Sequence, residues 1–510
     1  MTEPSDIAAD VAAAAAGIRE MQAGLEAQAP ARAVSLDGVT FTFSAPVAML
    51  LPVGGYLTLE TPDGPALGQV RELAIEVVDG PEISLNDSGL AAGASARVRF
   101  RRIAGAGAML DPITPFHDAA ISEAGPEAIG SWLDAHRPRT APLALGSAML
   151  APTVPIELDA RGFSRHSFLC GQSGSGKSYT TGLLLEQLLL QTDLPIVVLD
   201  PNSDATRLGE ALPGLDAQRA ARWAQVAPRI AVRRVGGEGD ERLRLRFFDL
   251  DPAVQQALVG LDPIADREEY DALRQLLEAE AAGSDLDELT DRLRAVDDPQ
   301  IRQLGLRIAN LGILDWPIWS GDRADPGLLG ELDTLEHRCL VVDLGSVPSR
   351  TQRSLVAAAV LARLWARRTD RRPVLLVIDE AHNICPPDAA DPLTAVATER
   401  AVDIAAEGRK FGLHLLVATQ RPLKVHENVL SQCDNLVLMR MNAAGDLARL
   451  AELFSFVPPG LLARASNFGL GQALVAGRVV SHPTLVSMGT RVAQEGGADV
   501  PTTWARPRSG

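Results

Sequence analysis

The spacing of apolar residues divides the chain into two parts with different periodicities. Between residues 32 and 110, short alternating runs at 39–43, 56–59, 70–78 and 96–102 are separated by Gly- and Pro-containing turns. Short strands without intervening helices are typical of a small antiparallel barrel. From about residue 146, apolar runs alternate with helical patterns, which is typical of a parallel sheet covered on both faces. The patterning therefore predicts an α/β protein with a small β-barrel at residues 32–110.

The apolar runs of the second part predict a series of buried strands interrupted by a helical insertion. We place the strands at 167–170, 196–200, 339–345, 374–379, 413–419, 435–440 and 472–477. The insertion spans about 205–335 and carries one strand-like piece at 243–247 and a helical stretch at 268–278. Residues 146–490 are predicted to form a single domain.

Three further segments have weaker patterns. Residues 1–31, rich in Ala and Glu, predict a helical extension, either a surface helix or an oligomerisation arm, with a partly ordered extension as the alternative. Residues 111–145 are predicted to be a connector with a helical middle. Residues 491–510 are predicted to be a C-terminal tail without regular structure.

Composition and charge limit the classes of function. The chain has 510 residues, of which 46% are hydrophobic, and no apolar run is long enough to span a bilayer. Its four cysteines lie far apart in or beside apolar runs, which predicts buried free thiols and a cytoplasmic location. The net charge of −17 argues against a nucleic-acid coat protein. It does not exclude a nucleic-acid motor, because a ring needs only a few basic residues facing its channel.

A glycine-rich loop carries the clearest chemical signal. The stretch Gly171-Gln-Ser-Gly-Ser-Gly-Lys-Ser178 follows a predicted strand, precedes a predicted helix and fits G-x-x-x-x-G-K-[ST], the P-loop pattern. Backbone N–H groups would cradle phosphates, Lys177 would contact the β- and γ-phosphates, and Ser178 would offer its hydroxyl to Mg²⁺. The predicted nucleotide-binding residues are Gly171, Ser173, Gly174, Ser175, Gly176, Lys177, Ser178 and Tyr179. The loop therefore predicts ATP and Mg²⁺ as ligands.

Two acids end the predicted strand at 374–379. A P-loop requires a carboxylate on an adjacent strand for the metal, and Asp379 fits this role together with Ser178. Glu380 would be the general base that polarises the attacking water. Taken alone, the pair would be read as a helix cap, but the P-loop favours the catalytic interpretation. A base directed at water predicts hydrolysis, and so an ATPase.

Polar residues end three further predicted strands. Gln420 could sense the γ-phosphate or position water, and Asp200 could contribute to the ligand site or cap the insertion. Arg440 could reach a phosphate across a subunit boundary, and Arg409 competes for that role, with a structural ion pair as the alternative for each arginine. Ligands bind at the carboxyl ends of strands in open α/β sheets, so these residues predict one shared site.

The ordered set of motifs resembles the HerA branch of the HerA–FtsK superfamily of hexameric ATPases over roughly residues 146–490. The motifs are the P-loop, Asp200-Pro-Asn-Ser-Asp204, Asp379-Glu-Ala-His-Asn383, Glu407-Gly-Arg-Lys-Phe-Gly412, Ala418-Thr-Gln-Arg-Pro422 and Val429-Leu-Ser-Gln-Cys433. The N-terminal region, through its strand texture and Leu51-Pro-Val-Gly-Gly-Tyr56, is similar to the small barrel (HAS-barrel) that this family shares with rotary ATP synthase subunits. One departure is Asn202-Ser203-Asp204, where family members often have His-Gly-Glu.

The resemblance implies a RecA-like ATPase core, a homo-hexameric ring with ATP between subunits, a channel for double-stranded DNA and often a nuclease partner. It implies nucleotide and Mg²⁺ binding by Lys177 and Ser178, catalysis by Glu380, sensing by Gln420, and action in trans by Arg440 or Arg409. The candidates for DNA contact in the pore are Arg421 and Lys424, just beyond Gln420.

The leading functional prediction is an ATP-driven DNA translocase or helicase. One alternative is an ATP-binding ring scaffold that gates a partner effector in antiviral defence. Another is a pumping ATPase like those of conjugation and type IV secretion. A two-lobed helicase within one chain is disfavoured, because the sequence has one P-loop and one strand ending in paired acids.

Overall fold

The computed structural model describes residues 30–84, 95–279, 297–320 and 325–497, with helical residues at 12, 15–17, 19–21 and 23–24. The described part divides into two compact units. The first unit is built on a closed barrel. It consists of the chain up to Arg137 together with two later segments, Ala148–Val154 and Val457–Arg464. The second contains most of a large sheet and its helices.

The described strands of the first unit close into a six-stranded barrel in the order β1-β2-β5-β4-β3-β6. Their bounds are Arg32–Ser35 (β1), Thr40–Pro46 (β2), Tyr56–Thr61 (β3), Gly64–Ser84 (β4), Ser95–Met109 (β5) and Phe116–Glu123 (β6). Alternation gives β2 one apolar face, so Phe41 and Phe43 enter the core. Gly105 and Gly107 make room for these rings, because a Cβ on either would lie 2.3 Å from a ring carbon.

Strand β6 corrects the prediction of a connector over residues 111–145. It pairs antiparallel with both β1 and β3 and thereby closes the barrel. Its alternation is irregular, with adjacent exposed residues His117 and Asp118, which explains why the sequence pattern missed it. The predicted helical middle is confirmed as α1, Pro126–Ala135.

The second unit is a mixed α/β structure whose sheet has eleven described strands in the order β11-β12-β10-β13-β14-β9-β15-β16-β17-β7-β8. The strand pairs formed among β9 to β15 are parallel. Strand β16 pairs antiparallel with β15, and β17 pairs antiparallel with β16. Every residue of β10, β12 and β13 is buried, as expected when both faces of a parallel sheet are covered. The strand bounds are Pro142–Ala148 (β7), Ala151–Asp159 (β8), His166–Cys170 (β9), Ile196–Asp200 (β10), Ile230–Arg233 (β11), Cys339–Asp343 (β12), Val374–Ile378 (β13), Leu413–Thr419 (β14), Cys433–Leu438 (β15), Gln472–Gly477 (β16) and Thr484–Met488 (β17).

Helices alternate with the parallel strands. They are Lys177–Gln191 (α2), Ala217–Val226 (α3), Pro252–Val259 (α4), Arg267–Ala279 (α5), Pro299–Leu311 (α6), Gly327–Thr334 (α7), Arg350–Ala366 (α8), Pro392–Glu407 (α9), Glu427–Leu430 (α10) and Ala444–Leu453 (α11), and a short helix, Pro459–Ala463 (α12), belongs to the first unit. All the strands predicted from apolar runs after residue 146 are present, with small shifts at their ends. The helix predicted at 268–278 is confirmed within α5.

Two predictions for the second unit are corrected. The strand-like piece at 243–247 is wrong, because its Leu245 forms only an isolated bridge to Trp319. The predicted C-terminal tail is wrong for residues 491–497, where Arg491, Val492 and Ala493 are buried. Residues 498–510 lie outside the described part, as does most of the helical extension predicted at 1–31.

Two sequence predictions concerning membranes and thiols can be compared with the structure. Within the described ranges, no helix is both long enough and apolar enough to cross a bilayer. All four cysteines are buried and free, as predicted.

Candidate nucleotide site

Three parallel strands bring the predicted site residues to one edge of the sheet. The P-loop follows β9, Gln420 follows β14, and Asp379 and Glu380 follow β13. Strand β14 lies between β9 and β13, so the expectation that Asp379 ends a strand adjacent to the P-loop strand is wrong. This intervening strand places the Gln420 amide between the phosphate loop and the paired acids.

The P-loop folds as a tight turn on the N-terminus of α2. Gly174 and Gly176 have φ of 71° and 97°, which side-chain-bearing residues rarely adopt. The loop borders a cleft of about 890 Å³. Of the predicted loop residues, Ser173, Gly174, Gly176, Lys177, Ser178 and Tyr179 line the cleft. Gly171 and Ser175 pack beneath it instead, where Ser175 is fully buried.

A buried ion-pair cluster joins the P-loop lysine to both acids. Lys177 Nζ lies 2.5 Å from Asp379 Oδ1 and 3.3 Å from Glu380 Oε1. Burial lowers the pKa of Lys177, but the two carboxylates more than offset this, so its pKa is raised. Burial raises the pKa of Asp379 despite the opposing charge of Lys177. The ammonium is therefore held charged beside the two acids.

The Glu380 carboxylate contacts three polar side chains in addition to Lys177. Its Oε1 accepts hydrogen bonds from Gln420 Nε2 at 2.7 Å and Asn202 Nδ2 at 3.4 Å, and its Oε2 lies 3.2 Å from His382 Nδ1. Burial acts to raise the pKa of Glu380, but the His382 contact, the Lys177 charge and the Gln420 amide outweigh it and lower the pKa to about 2. Glu380 is thus ionised at neutral pH.

The backbone of Glu380 has a strained conformation. Its φ of 43° lies in the left-handed region. For a residue other than glycine such a conformation costs about 1–3 kcal/mol and persists only where surrounding contacts enforce it. Here the contacts with Gln420, His382 and Lys177 provide that constraint.

Asp200 anchors the loop that follows β10. Its carboxylate accepts hydrogen bonds from the backbone N–H groups of Asn202 (3.3 Å), Asp204 (3.1 Å) and Ala205 (2.8 Å). Burial is the main reason that its pKa is raised to about 7. Asp200 does not line the cleft, so the geometry favours the capping alternative over direct contact with a ligand.

The same loop presents a second acid to the P-loop. Ser178 Oγ donates a hydrogen bond of 2.6 Å to Asp204 Oδ2, and Asp204 lines the cleft. Sequence reasoning missed the contacts of Asn202, Asp204 and His382 with the site. The available signal was their position two to four residues beyond Asp200 or Glu380, which were already assigned to the ends of predicted strands.

The two candidate arginines lie at opposite ends of the strands. Arg440 Nη2 donates to the carbonyl oxygen of Gly174 at 3.1 Å, so this guanidinium lies on the phosphate loop of its own subunit rather than reaching across a boundary. Arg409 precedes β14 and contacts Asp434 at 3.0 Å. Because β14 has seven residues, Arg409 lies on the order of 20 Å from its own phosphate loop.

The residues just beyond Gln420 form an exposed turn. Arg421 and Lys424 are both exposed, and the Arg421 N–H is held by Thr419 Oγ1 at 3.0 Å. Two cations are therefore available to solvent next to the Gln420 amide.

The C-terminal segment, residues 489–497, forms one wall of the cleft. Tyr179 Oη donates to the Gly489 carbonyl and accepts from the Arg491 N–H, both at 3.0 Å. Thr490 and residues 495–497 also line the cleft. Part of the tail predicted from sequence therefore belongs to the lining of the cleft.

The oxygen donors of the cleft fit Mg²⁺ bound together with a nucleotide. In the part of the chain that the structure describes, no cluster of three or more His, Cys, Asp or Glu side chains could hold a metal alone. Mg²⁺ usually takes one or two protein ligands and completes its shell with phosphate oxygens and water. The Ser178 hydroxyl lines the cleft and suits such a partial site, whereas Asp379 is not among the residues that line the cleft and is paired with Lys177.

A parallel sheet carrying a phosphate loop, a buried lysine–carboxylate cluster and an ionised glutamate at one edge defines a P-loop nucleotide hydrolase. The family model described as the central domain of helicase HerA matches residues 143–305. The chain is 24% identical over 380 residues to the DNA double-strand break repair helicase HerA of Sulfolobus acidocaldarius, covering 71% of this chain and 72% of the relative. It is 21% identical over 383 residues to the same-named protein of Pyrococcus furiosus, covering 67% and 68%. The chain is thus an ATPase that is similar to HerA helicases over about 70% of its length.

Among solved structures, VirB4 of Thermoanaerobacter pseudethanolicus is similar, with a TM-score of 0.45 and 15% identity. The match covers 68% of this chain and 96% of VirB4.

Proposed function

We propose that the chain is the subunit of a ring-shaped DNA translocase or helicase driven by ATP hydrolysis. Two relatives that match about 70% of its length are named as DNA double-strand break repair helicases. The net charge of −17 agrees with a ring in which few cations face the DNA. Arg421 and Lys424 are the proposed DNA contacts, because they are exposed beside the sensor Gln420.

The arrangement around Glu380 is the single observation that carries the hydrolytic part of the proposal. An ionised carboxylate fixed by Gln420 and His382 is suited to accept a proton from an attacking water. Lys177 would move from the acids to the phosphates of bound ATP. Mg²⁺, when bound, would offset phosphate charge, and Ser178 and Asp379 would hold it.

The position of Arg409 supports a site shared between subunits. Its guanidinium is far from the phosphate loop of its own chain, so it can stabilise transition-state charge only at another subunit's nucleotide. Arg440 would act in cis, on its own loop. We propose a homo-hexamer, as the family resemblance implies, and a nuclease or other effector protein as partner.

The test is ATP hydrolysis by the purified full chain with and without linear double-stranded DNA at about 50 and 200 mM salt. DNA should raise the rate at low salt and less at high salt, because phosphate contacts release counterions. The Lys177→Ala variant, assayed in parallel, controls for contaminating ATPases. Absence of stimulation at any DNA length and both salts would remove the translocase proposal. Stimulation only by a partner protein would favour the effector-gating scaffold.

A further inference from the structure

We propose that Asp204 is a positioning residue for the metal: it holds the Ser178 hydroxyl so that the oxygen faces the cleft where Mg²⁺ binds. The inference rests on the proposed ATP-hydrolysing function and adds a residue to that site. No sequence motif assigned this role to Asp204.

The hydrogen-bonding capacity of a hydroxyl gives the physical reason. A serine hydroxyl has one hydrogen to donate and two lone pairs. Ser178 Oγ directs its hydrogen to Asp204 Oδ2 at 2.6 Å, which leaves the lone pairs free for a cation. Asp379, the acid expected on the metal side, instead has the Lys177 ammonium at 2.5 Å. Asp204 is therefore the carboxylate that orients this hydroxyl.

Contacts from three directions hold Asp204 in place. Buried Asp200 accepts its backbone N–H at 3.1 Å, and the N–H of Gly496 donates to its carbonyl oxygen at 2.8 Å. The preceding residue, Ser203, has a φ of 62° and donates its hydroxyl to Asp343 Oδ1 at 2.7 Å. The carboxylate thus belongs to a constrained loop.

If Asp204 has this role, removing its carboxylate should change how nucleotide binding depends on Mg²⁺. It should not change nucleotide affinity in the absence of Mg²⁺. Groups that orient metal ligands typically change metal affinity by about 10–100-fold when they are removed. A carboxylate that only filled space beside the P-loop would alter ATP binding equally with and without Mg²⁺.

The first experiment titrates Mg²⁺ into the full-length protein with a fluorescent ATP analogue and records the Mg²⁺ concentration at half-maximal binding. Asp204→Asn keeps the size of the side chain, and we expect it to raise this concentration about 10–100-fold. Binding of the analogue in EDTA should stay unchanged. Glu210→Gln removes the same charge at an exposed acid away from Ser178 and should leave the midpoint unchanged.

The second experiment repeats the titration in a Ser178→Ala background. If Asp204 acts through the hydroxyl, Asp204→Asn should shift the midpoint there by less than about twofold, because two mutations in one interaction are not additive. A tenfold further shift would overturn the inference, since Asp204 would then act independently of Ser178. If the Asp204→Asn variant does not fold, the Asp204→Ser variant is titrated in its place, with the same expected shift and the same contradicting result.

The outcomes separate this inference from the proposed function. A wild-type chain without Mg²⁺-dependent binding of the analogue would contradict the proposed function and this inference together. A wild-type chain that binds, with an Asp204→Asn variant whose Mg²⁺ midpoint is the same, would contradict the role of Asp204 alone.

Discussion

Glu380 meets polar groups from several segments of the second unit: Lys177 of the P-loop, Asn202 after β10, His382 in its own turn and Gln420 after β14. A change at any of these segments therefore alters how the Glu380 carboxylate is held. Such convergence on one strained acid is typical of a catalytic position.

We expect Glu380→Gln to retain ATP binding and to lower kcat by about 10²–10⁴-fold, because the amide cannot accept a proton from water. Steady-state hydrolysis and equilibrium binding of a fluorescent ATP analogue would measure the two effects separately. Glu399→Gln, at an exposed acid of α9, is the matched control. Near-normal turnover by the Glu380→Gln variant would show that another group activates the water.

At the scale of residues, the sequence predicted the side chains that belong to a local motif. Lys177, Ser178, Asp379 and Gln420 were proposed as site residues because each follows or ends a strand or a phosphate loop, and in the structure they lie at one edge of the sheet. Asp204 and Asn202 were not assigned roles, because their contacts depend on how the loop after β10 bends back towards α2. The sequence left open whether Arg440 or Arg409 acts across a subunit boundary, and only side-chain geometry shows Arg440 on its own loop.

At the scale of elements, the C-terminal segment is fastened to the P-loop helix by a buried ion pair. Glu186 of α2 accepts hydrogen bonds from Arg491 Nε at 2.7 Å and from the N–H groups of Val492 and Ala493. Both charged side chains are almost fully buried. The guanidinium lies across Gly182, where a Cβ would come within 2.3 Å of Arg491 Cζ.

We expect Glu186→Ala to destabilise the protein by about 3–5 kcal/mol, because it removes the close counter-charge of buried Arg491 and leaves only Glu495 at 4.0 Å. Denaturant unfolding would give the stability, and hydrogen exchange should show lost protection over residues 489–497. Glu241→Ala, which breaks an exposed pair with Arg234, should cost no more than about 1 kcal/mol. Equal stability of the two variants would mean that the segment is not fastened in this way.

The elements themselves were predictable where burial imposes a regular pattern. The parallel strands of the sheet are continuous apolar runs, and all of those predicted were present. Strand β6 was missed because its alternation is irregular. The segment at 491–497 was missed because it forms no regular strand, only an isolated bridge between Ala493 and Ala211.

At the scale of the whole molecule, the proposed function depends on assembly. One subunit supplies the phosphate loop, the acids, Gln420 and Arg440, whereas Arg409 lies near the opposite ends of the strands beside Asp434. A head-to-tail ring would bring the Arg409 edge of one subunit to the nucleotide edge of the next.

Mixing two inactive variants tests this shared site most directly. Arg409→Ala and Lys177→Ala should each hydrolyse ATP poorly alone. The first lacks the guanidinium that would act at the neighbouring subunit's site, and the second lacks the lysine that would contact the phosphates at its own site. Mixed in equal amounts, they should recover about a quarter of the wild-type rate, since random assembly pairs an intact loop with an intact Arg409 at about one interface in four. Arg440→Ala mixed with Lys177→Ala is the matched control and should give no recovery, because both changes damage a subunit's own site. Failure of the Arg409→Ala mixture to recover, or full activity of Arg409→Ala alone, would contradict a nucleotide site shared between subunits.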